Sequence, residues 1–230
     1  AIAAGGAHTV ALRNDGTVVG LGYQANTPDG LGDVVAVACG NDFSLALQGN
    51  GKVAAFGENC HGQLNVPSTL ERVVAIAAGG RHALALLEDG TVVAWGENDE
   101  GECDVPNDLA NVVAITAGTH HSLALRSDGT VVGWGWSDYG ETDVPPGLAN
   151  AIAISAGYRH NLAIIGDGTP VLTVQPVNRT VSQGRPVTFN AMTVGTPPFR
   201  YQWLFNGTPI PGATNAALTL SNIQPQQAGA

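Results

Sequence analysis

Four histidines, His8, His82, His121 and His160, stand at one recurring position of this chain, and the run Glu97-Asn98-Asp99-Glu100-Gly101-Glu102-Cys103-Asp104 is dense in oxygen donors. Repeated imidazoles could ligate a metal or act as general bases, and clustered carboxylates could hold calcium. Comparison of equivalent positions argues against both chemistries. Phe43 takes the histidine's place in one copy. A phenyl ring can neither bind a metal nor move a proton, so the imidazoles read as packing and hydrogen-bonding groups. The carboxylate run lacks the alternating Asp-x-Asp/Asn-x-Asp/Asn-Gly order and the distant bidentate Glu of a calcium loop. Cys39 aligns with Ala78, Ala117 and Ala156 and reads as a small core residue, whereas Cys60 and Cys103 sit at different points of neighbouring loops, which gives a bridge between them no support. The chain has no Cys-x-x-Cys, Gly-x-Ser-x-Gly or phosphate-loop pattern. No metal, cofactor or intrinsic catalytic site is expected, and the chain reads as a non-enzyme.

Recognition is the chemistry that remains, and it belongs at positions that differ between copies. Between a Trp-Gly step and a Val-Pro step run Tyr23-Gln24-Ala25-Asn26, Glu58-Asn59-Cys60-His61, Glu97-Asn98-Asp99-Glu100 and Trp136-Ser137-Asp138-Tyr139. On a repeating frame these loops should line one face. The candidate binding residues are therefore Tyr23, Glu58, His61, Glu97, Asp99, Glu100, Trp136, Asp138 and Tyr139. Trp136 and Tyr139 stand out, because neither position is aromatic in the two preceding copies and rigid aromatics with a polar tip are favoured at protein interfaces. A second variable set, Arg81, His120 and Arg159, lines up after the opening glycine of each copy. It reads equally well as a small basic strip and as three solvated side chains.

These residues must be positioned by a repeat of 39 residues, marked by Gly40, Gly79, Gly118 and Gly157, with Gly5 opening a copy four residues shorter. Each copy reads as three short strands. The first, such as Val73 to Ala77 or Val112 to Thr116, is apolar and rich in β-branched residues, which suits a strand covered on both faces. The second and third form a hairpin over Asp15-Gly16, Asn50-Gly51, Asp89-Gly90, Asp128-Gly129 and Asp167-Gly168, a dipeptide that predicts a type I′ turn. Along the second strand Leu84 and Leu86 alternate with Ala83 and Ala85, as Leu123 and Leu125 flank Ala124. A large face can then nest on a neighbour's small face, with sheets about 10 Å apart. Radial stacking of such sheets predicts an all-β fold, a partial, open β-propeller of four to five blades of three to four strands each.

The phrase Gly-x-x-His-x-x-Ala-Leu, then Asp-Gly-x-Val, then Trp-Gly-x-Asn-x-x-Gly-x-x-x-Val-Pro resembles the regulator-of-chromosome-condensation repeat. It looks most like the bacterial branch that includes β-lactamase inhibitor protein II. Glu58-Asn59-Cys60-His61-Gly62-Gln63-Leu64 matches best, with Phe56 in place of the usual Trp. The resemblance covers roughly residues 1–168 and implies a propeller, commonly seven-bladed, that binds proteins. Residue 1 falls inside a repeat, so the remaining blades are expected upstream.

After Pro170 the text changes. Val171-Leu172-Thr173-Val174-Gln175-Pro176, Val187-Thr188-Phe189, Tyr201-Gln202-Trp203 and Ala217-Leu218-Thr219-Leu220 resemble an immunoglobulin-like domain of the extracellular bacterial kind. That resemblance implies a β-sandwich with Trp203 as the buried tryptophan of its third strand. Ala191 stands where the usual Cys would, and the domain is expected to be incomplete at its C-terminal end. The expected domains are 1–169, the propeller repeats, and 170–230, the immunoglobulin-like unit.

All 19 acidic residues lie in the first of these, against six of the nine basic ones. Such a surface repels phosphates, so nucleic acid is excluded as a partner, and no stretch approaches the length of a membrane span. Asn178-Arg179-Thr180 and Asn206-Gly207-Thr208 satisfy the glycosylation sequon. The expected function is a secreted or cell-surface module that binds a protein partner through its acidic and aromatic loop face, with an inhibitor-like role one form of it. The alternative is a structural or adhesive repeat of a large surface protein that contacts glycans.

Overall fold

A computed structural model describes residues 1–179 and 181–227; Thr180 of the first sequon and residues 228–230 lie outside the described residues. The repeats fold as sheets. The first blade comprises β1 (Ile2–Ala4), β2 (His8–Leu12) and β3 (Val18–Gly22); the second β4 (Val34–Cys39), β5 (Phe43–Gln48) and β6 (Val53–Gly57). The third contains β7 (Val73–Ala78), β8 (His82–Leu87) and β9 (Val92–Gly96), and the fourth β10 (Val112–Ala117), β11 (His121–Arg126) and β12 (Val131–Gly135). In each of these four, three antiparallel strands pair in chain order. The fifth has only β13 (Ala151–Ala156) and β14 (Asn161–Ile165). Pro170 stands where Val131 of the third strand stands one blade earlier. The next strand, β15 (Val171–Val174), pairs elsewhere.

The stacking follows the alternation of side-chain size. Leu45 and Leu47 share a cluster with Ala83 and Ala85 of the following blade, and Leu84 and Leu86 with Ala124 of the one after, all of them 3% exposed or less. On β14 the same large face is open, with Leu162 67% and Ile164 61% exposed, because no sixth blade follows. The first strands pack on one another along the arc but are half buried rather than covered on both sides.

The hairpin turn differs from the type I′ prediction. Gly90 N–H donates to Leu87 C=O at 3.0 Å and Leu87 N–H to Thr91 C=O at 2.9 Å, and only the glycine takes a positive φ, +82°. This is a type I turn closed by a glycine bulge. Asp89 Oδ1 accepts from the Thr91 amide and hydroxyl at 3.0 and 2.6 Å, which fixes the longer loop and holds the Asp89 carboxyl below its ordinary range. The same two bonds recur at Asp15, Asp128 and Asp167.

Histidines tie blade to blade. His8 Nε2 meets Ser44 Oγ at 2.7 Å, His82 Nε2 meets Ser122 Oγ at 3.0 Å, and His121 Nε2 meets Asn161 Oδ1 at 2.8 Å. Ser122 Oγ donates to the Glu102 carbonyl at 3.0 Å, so it must accept from His82, which places that ring's proton on Nε2. Phe43 shares a cluster with Ala83, the one of these four partner positions without a polar group. His82 and His121 are fully buried, as the packing role requires, whereas His160 is exposed because it has no following blade. Trp95, Trp134 and Phe56 are likewise core, but Leu21 at their position is 60% exposed.

Beyond the fifth blade, β15 pairs with β17 (Met192–Val194), β16 (Val187–Asn190) with β20 (Ala217–Leu220), and β18 (Leu204–Phe205) with β19 (Thr208–Pro209). Met192 and Val194 are buried in one cluster with Val112 and Val113 of β10. Trp203 is not the buried strand residue expected. It precedes β18 and is half buried, with its Nε1 donating to the Asn215 carbonyl at 2.9 Å and Phe189 at 6.4 Å between ring centres; two-stranded ladders offer no broad second sheet to cover it.

Candidate functional site

The strand ends carrying Gly40, Gly79, Gly118 and Gly157 share one face of the arc with the starts of the variable loops, and the Asp-Gly turns lie at the opposite ends of the same hairpins. Closeness there is enforced by backbone. A Cβ on Gly79 would meet the His82 ring and the Gly118 carbonyl oxygen of the next blade, and the Gly80 amide donates to the Thr119 carbonyl at 3.2 Å. Only residues without side chains allow so tight an approach.

Across this face the two variable sets merge. Arg81 Nη1 lies 3.4 Å from His61 Nε2 of the preceding blade and 3.3 Å from Glu97 Oε1. His120 Nδ1 lies 3.2 Å from Glu102 Oε1 and 3.7 Å from Glu97 Oε2, again in the preceding blade. The Arg159 guanidinium sits 4.7 Å from the Trp136 ring centre, 5.1 Å from Tyr139 and 5.2 Å from Tyr158. Trp136 also packs edge-on against His120 and Tyr139. Arg81, His120 and Arg159 thus form no separate basic strip. Each reaches back to the loop one blade earlier, giving a continuous row from His61 through Glu97, His120 and Trp136 to Arg159.

Of the residues selected from sequence, His61, Glu97, Trp136 and Tyr139 lie in this row. Asp99, Glu100 and Asp138 are exposed in the same loops. Glu58 is turned inward to its own loop, where it accepts from the Cys60 amide and from Gln63 Nε2, and these bonds hold its carboxyl below the ordinary range. Tyr23 is 63% exposed on the first blade. Sequence reasoning missed Glu102 and Tyr158. Glu102 was readable by register, since Gln63, Glu102 and Glu141 occupy one position, all of them buried.

Glu97, Glu102 and His120 bring one potential ligand atom each to within 4.8 Å of one another. All three cysteines are free. Burial, then the carboxylates of Glu102, Asp104 and Glu97, push the Cys103 thiol up to about 12, which suppresses its thiolate chemistry.

Residues 34–63, 73–102 and 112–141 match the family model of the regulator of chromosome condensation (RCC1) repeat. The chain carries RCC1 repeats. Residues 169–230 match the immunoglobulin domain model. Among solved structures the RCC1-repeat arc is similar to yeast RCC1 (Prp20) in its complex with Kap60, at 25% identity and a TM-score of 0.60 over 73% of this chain and 54% of that one. It is similar also to Prp20p of Saccharomyces cerevisiae, described with its binding to Gsp1p and histones, at 25% identity and a TM-score of 0.62 over 73% and 56%. Human WBSCR16 shares the fold at 19% identity, a TM-score of 0.59 and coverage of 73% and 57%. The chain spans little more than half the length of these structures. No curated protein matches the chain.

Proposed function

We propose that the RCC1-repeat arc is a non-enzymatic protein-binding module whose partner docks on the row from His61 to Arg159. One observation carries this reading: the Arg159 guanidinium is held among Trp136, Tyr139 and Tyr158, with Tyr139 72% and Tyr158 65% exposed. Aromatic groups and an arginine preordered on a rigid frame lose little side-chain entropy on binding, which is the character of an interface anchor. Beside them the carboxylates of Asp99, Glu100 and Asp138 favour a partner with basic groups opposite. Yeast RCC1 is crystallised with a protein, Kap60, and this supports protein rather than small-molecule recognition. We place the module outside the cell or on its surface, on the strength of the immunoglobulin match behind it. Inhibition of a β-lactamase, the finer reading from resemblance, is tested by titrating the chain against such an enzyme.

The test of the face is site-directed photocrosslinking in the producing cells. A crosslinking phenylalanine analogue at Tyr139 should trap one discrete protein. The same group at Thr91, at the far end of the β8–β9 hairpin, should not. Affinity for the trapped partner should fall about 30-fold or more in Trp136→Ala with Tyr139→Ala; unchanged affinity would remove this face from the function.

A further inference from the structure

The second and third blades differ by one substitution that leaves a charge problem. In the second, Gln63 Nε2 donates to Glu58 Oε2 at 2.9 Å, so the buried amide satisfies the loop carboxylate. In the third, the amide's place is taken by Glu102, fully buried, and the loop carboxylate is Glu97, whose side chain is 7% exposed. A carboxylate cannot donate to another. Glu97 Oε2 is therefore buried with no hydrogen-bond partner, and the nearest polar atom recorded for it is His120 Nδ1 at 3.7 Å.

We propose that Glu97, Glu102 and His120 form a site for a divalent transition-metal ion of the zinc type. Nitrogen and carboxylate oxygen ligands bind zinc at roughly 2.0–2.2 Å, which sets neighbouring ligand atoms of a tetrahedron about 3.4 Å apart. His120 Nδ1 stands 3.2 Å from Glu102 Oε1 and 3.7 Å from Glu97 Oε2, both within a few tenths of an ångström of that spacing, and the two carboxylates offer oxygens within 4.8 Å of each other. The surroundings already orient them. Glu102 Oε2 accepts from the Glu100 amide at 3.0 Å, leaving Oε1 turned to His120, and Trp136 packs against the imidazole. Arg81, which bonds Glu97 Oε1 at 3.3 Å and is half exposed, opposes the cation and is free to swing outward. The His120 side chain is 36% exposed, which gives water access to a fourth ligand position. A proton on His120, pairing with both carboxylates, is the competing occupant.

Isothermal titration of the 230-residue chain with zinc chloride decides between them, run in the parent and in a Cys60→Ser, Cys103→Ser background so that the two loop thiols cannot supply the signal. One zinc per chain should bind in both, and cobalt(II) should give the strong visible band of a four-coordinate ion. Glu102→Gln should weaken binding more than about 100-fold, beyond the loss typical of a mere supporting group, while folding normally, because it recreates the Gln63 to Glu58 bond of the second blade. His120→Ala should do the same. Absence of zinc uptake, or uptake unaffected by both variants, would overturn the site.

Discussion

The His82–Ser122 contact offers a sharp test of how the blades hold together, because the chain contains its own apolar replacement for it. Ser122→Ala strands the His82 Nε2 proton in a site of zero exposure, and a buried donor left without a partner costs about 1–3 kcal/mol. The Glu102 carbonyl that Ser122 also serves keeps its bond from Trp134 Nε1 at 2.8 Å, so the cost belongs mainly to the imidazole. His82→Phe alone sets a larger ring against the serine hydroxyl, at about 1–2 kcal/mol. Together the two changes recreate the Phe43–Ala83 pair that the second and third blades already use. The double variant should therefore be more stable than the sum of the single losses by at least about 1 kcal/mol. Urea denaturation followed by tryptophan fluorescence measures the cycle, and in melting temperature the coupling corresponds to about 2–4 °C. Additive losses would show that the two pairs are not interchangeable ties.

The same pair governs acid sensitivity. Burial, then the charges of His120 and His121, lower His82 to about 3, so between its ordinary value near 6.5 and that point the unfolded chain takes up a proton that the folded one refuses. Stability present above pH 6.5 should then fall with pH at up to about 1.4 kcal/mol per unit, and His82→Phe with Ser122→Ala should lose that contribution; equal slopes in the two proteins would refute it. Arg72 has φ +54° where Asn111 and Asn150 stand in later blades, and asparagine tolerates that region better. Its 4.0 Å ion pair with Glu88 is mostly exposed and worth little, so Arg72→Asn should raise the melting temperature by about 1–2 °C, and a drop would count against the argument. At pH 8 a disulfide-exchange reagent should label exposed Cys60 first and Cys103 only on unfolding, which mass spectrometry of the modified peptides reads directly.

Much of the blade architecture was legible because it is written locally and five times over. The alternation of Leu84 and Leu86 with Ala83 and Ala85 reports a stacked sheet, and Phe43 in a histidine's place reports a packing role. Contacts between blades were harder to read. His120 and Glu102 are 18 residues apart and meet only when one blade leans on the last, so His120 stood in the sequence as a member of a basic strip and Glu102 as part of an acidic loop. The sequence pattern excludes calcium on loop spacing alone; it has no way to weigh ligands drawn from two blades. The turn type departs from the dipeptide's for a local reason, the two bonds that Thr91 donates to the Asp89 carboxylate, which favour a longer loop. His160 departs from the common pattern because the fifth blade is followed by the immunoglobulin-like unit rather than another blade, so position in the array outweighs residue type.

The pairing of a blade's histidine or phenylalanine with a residue on the second strand of the next makes blade order a matter of matched couplings. A polar plug accepts a serine or asparagine socket, and the phenyl plug accepts alanine. Lineages that lengthen or shuffle such arrays must therefore carry plug and socket together across the seam, and blades lifted from the middle will join only where their chemistry agrees with the new neighbour.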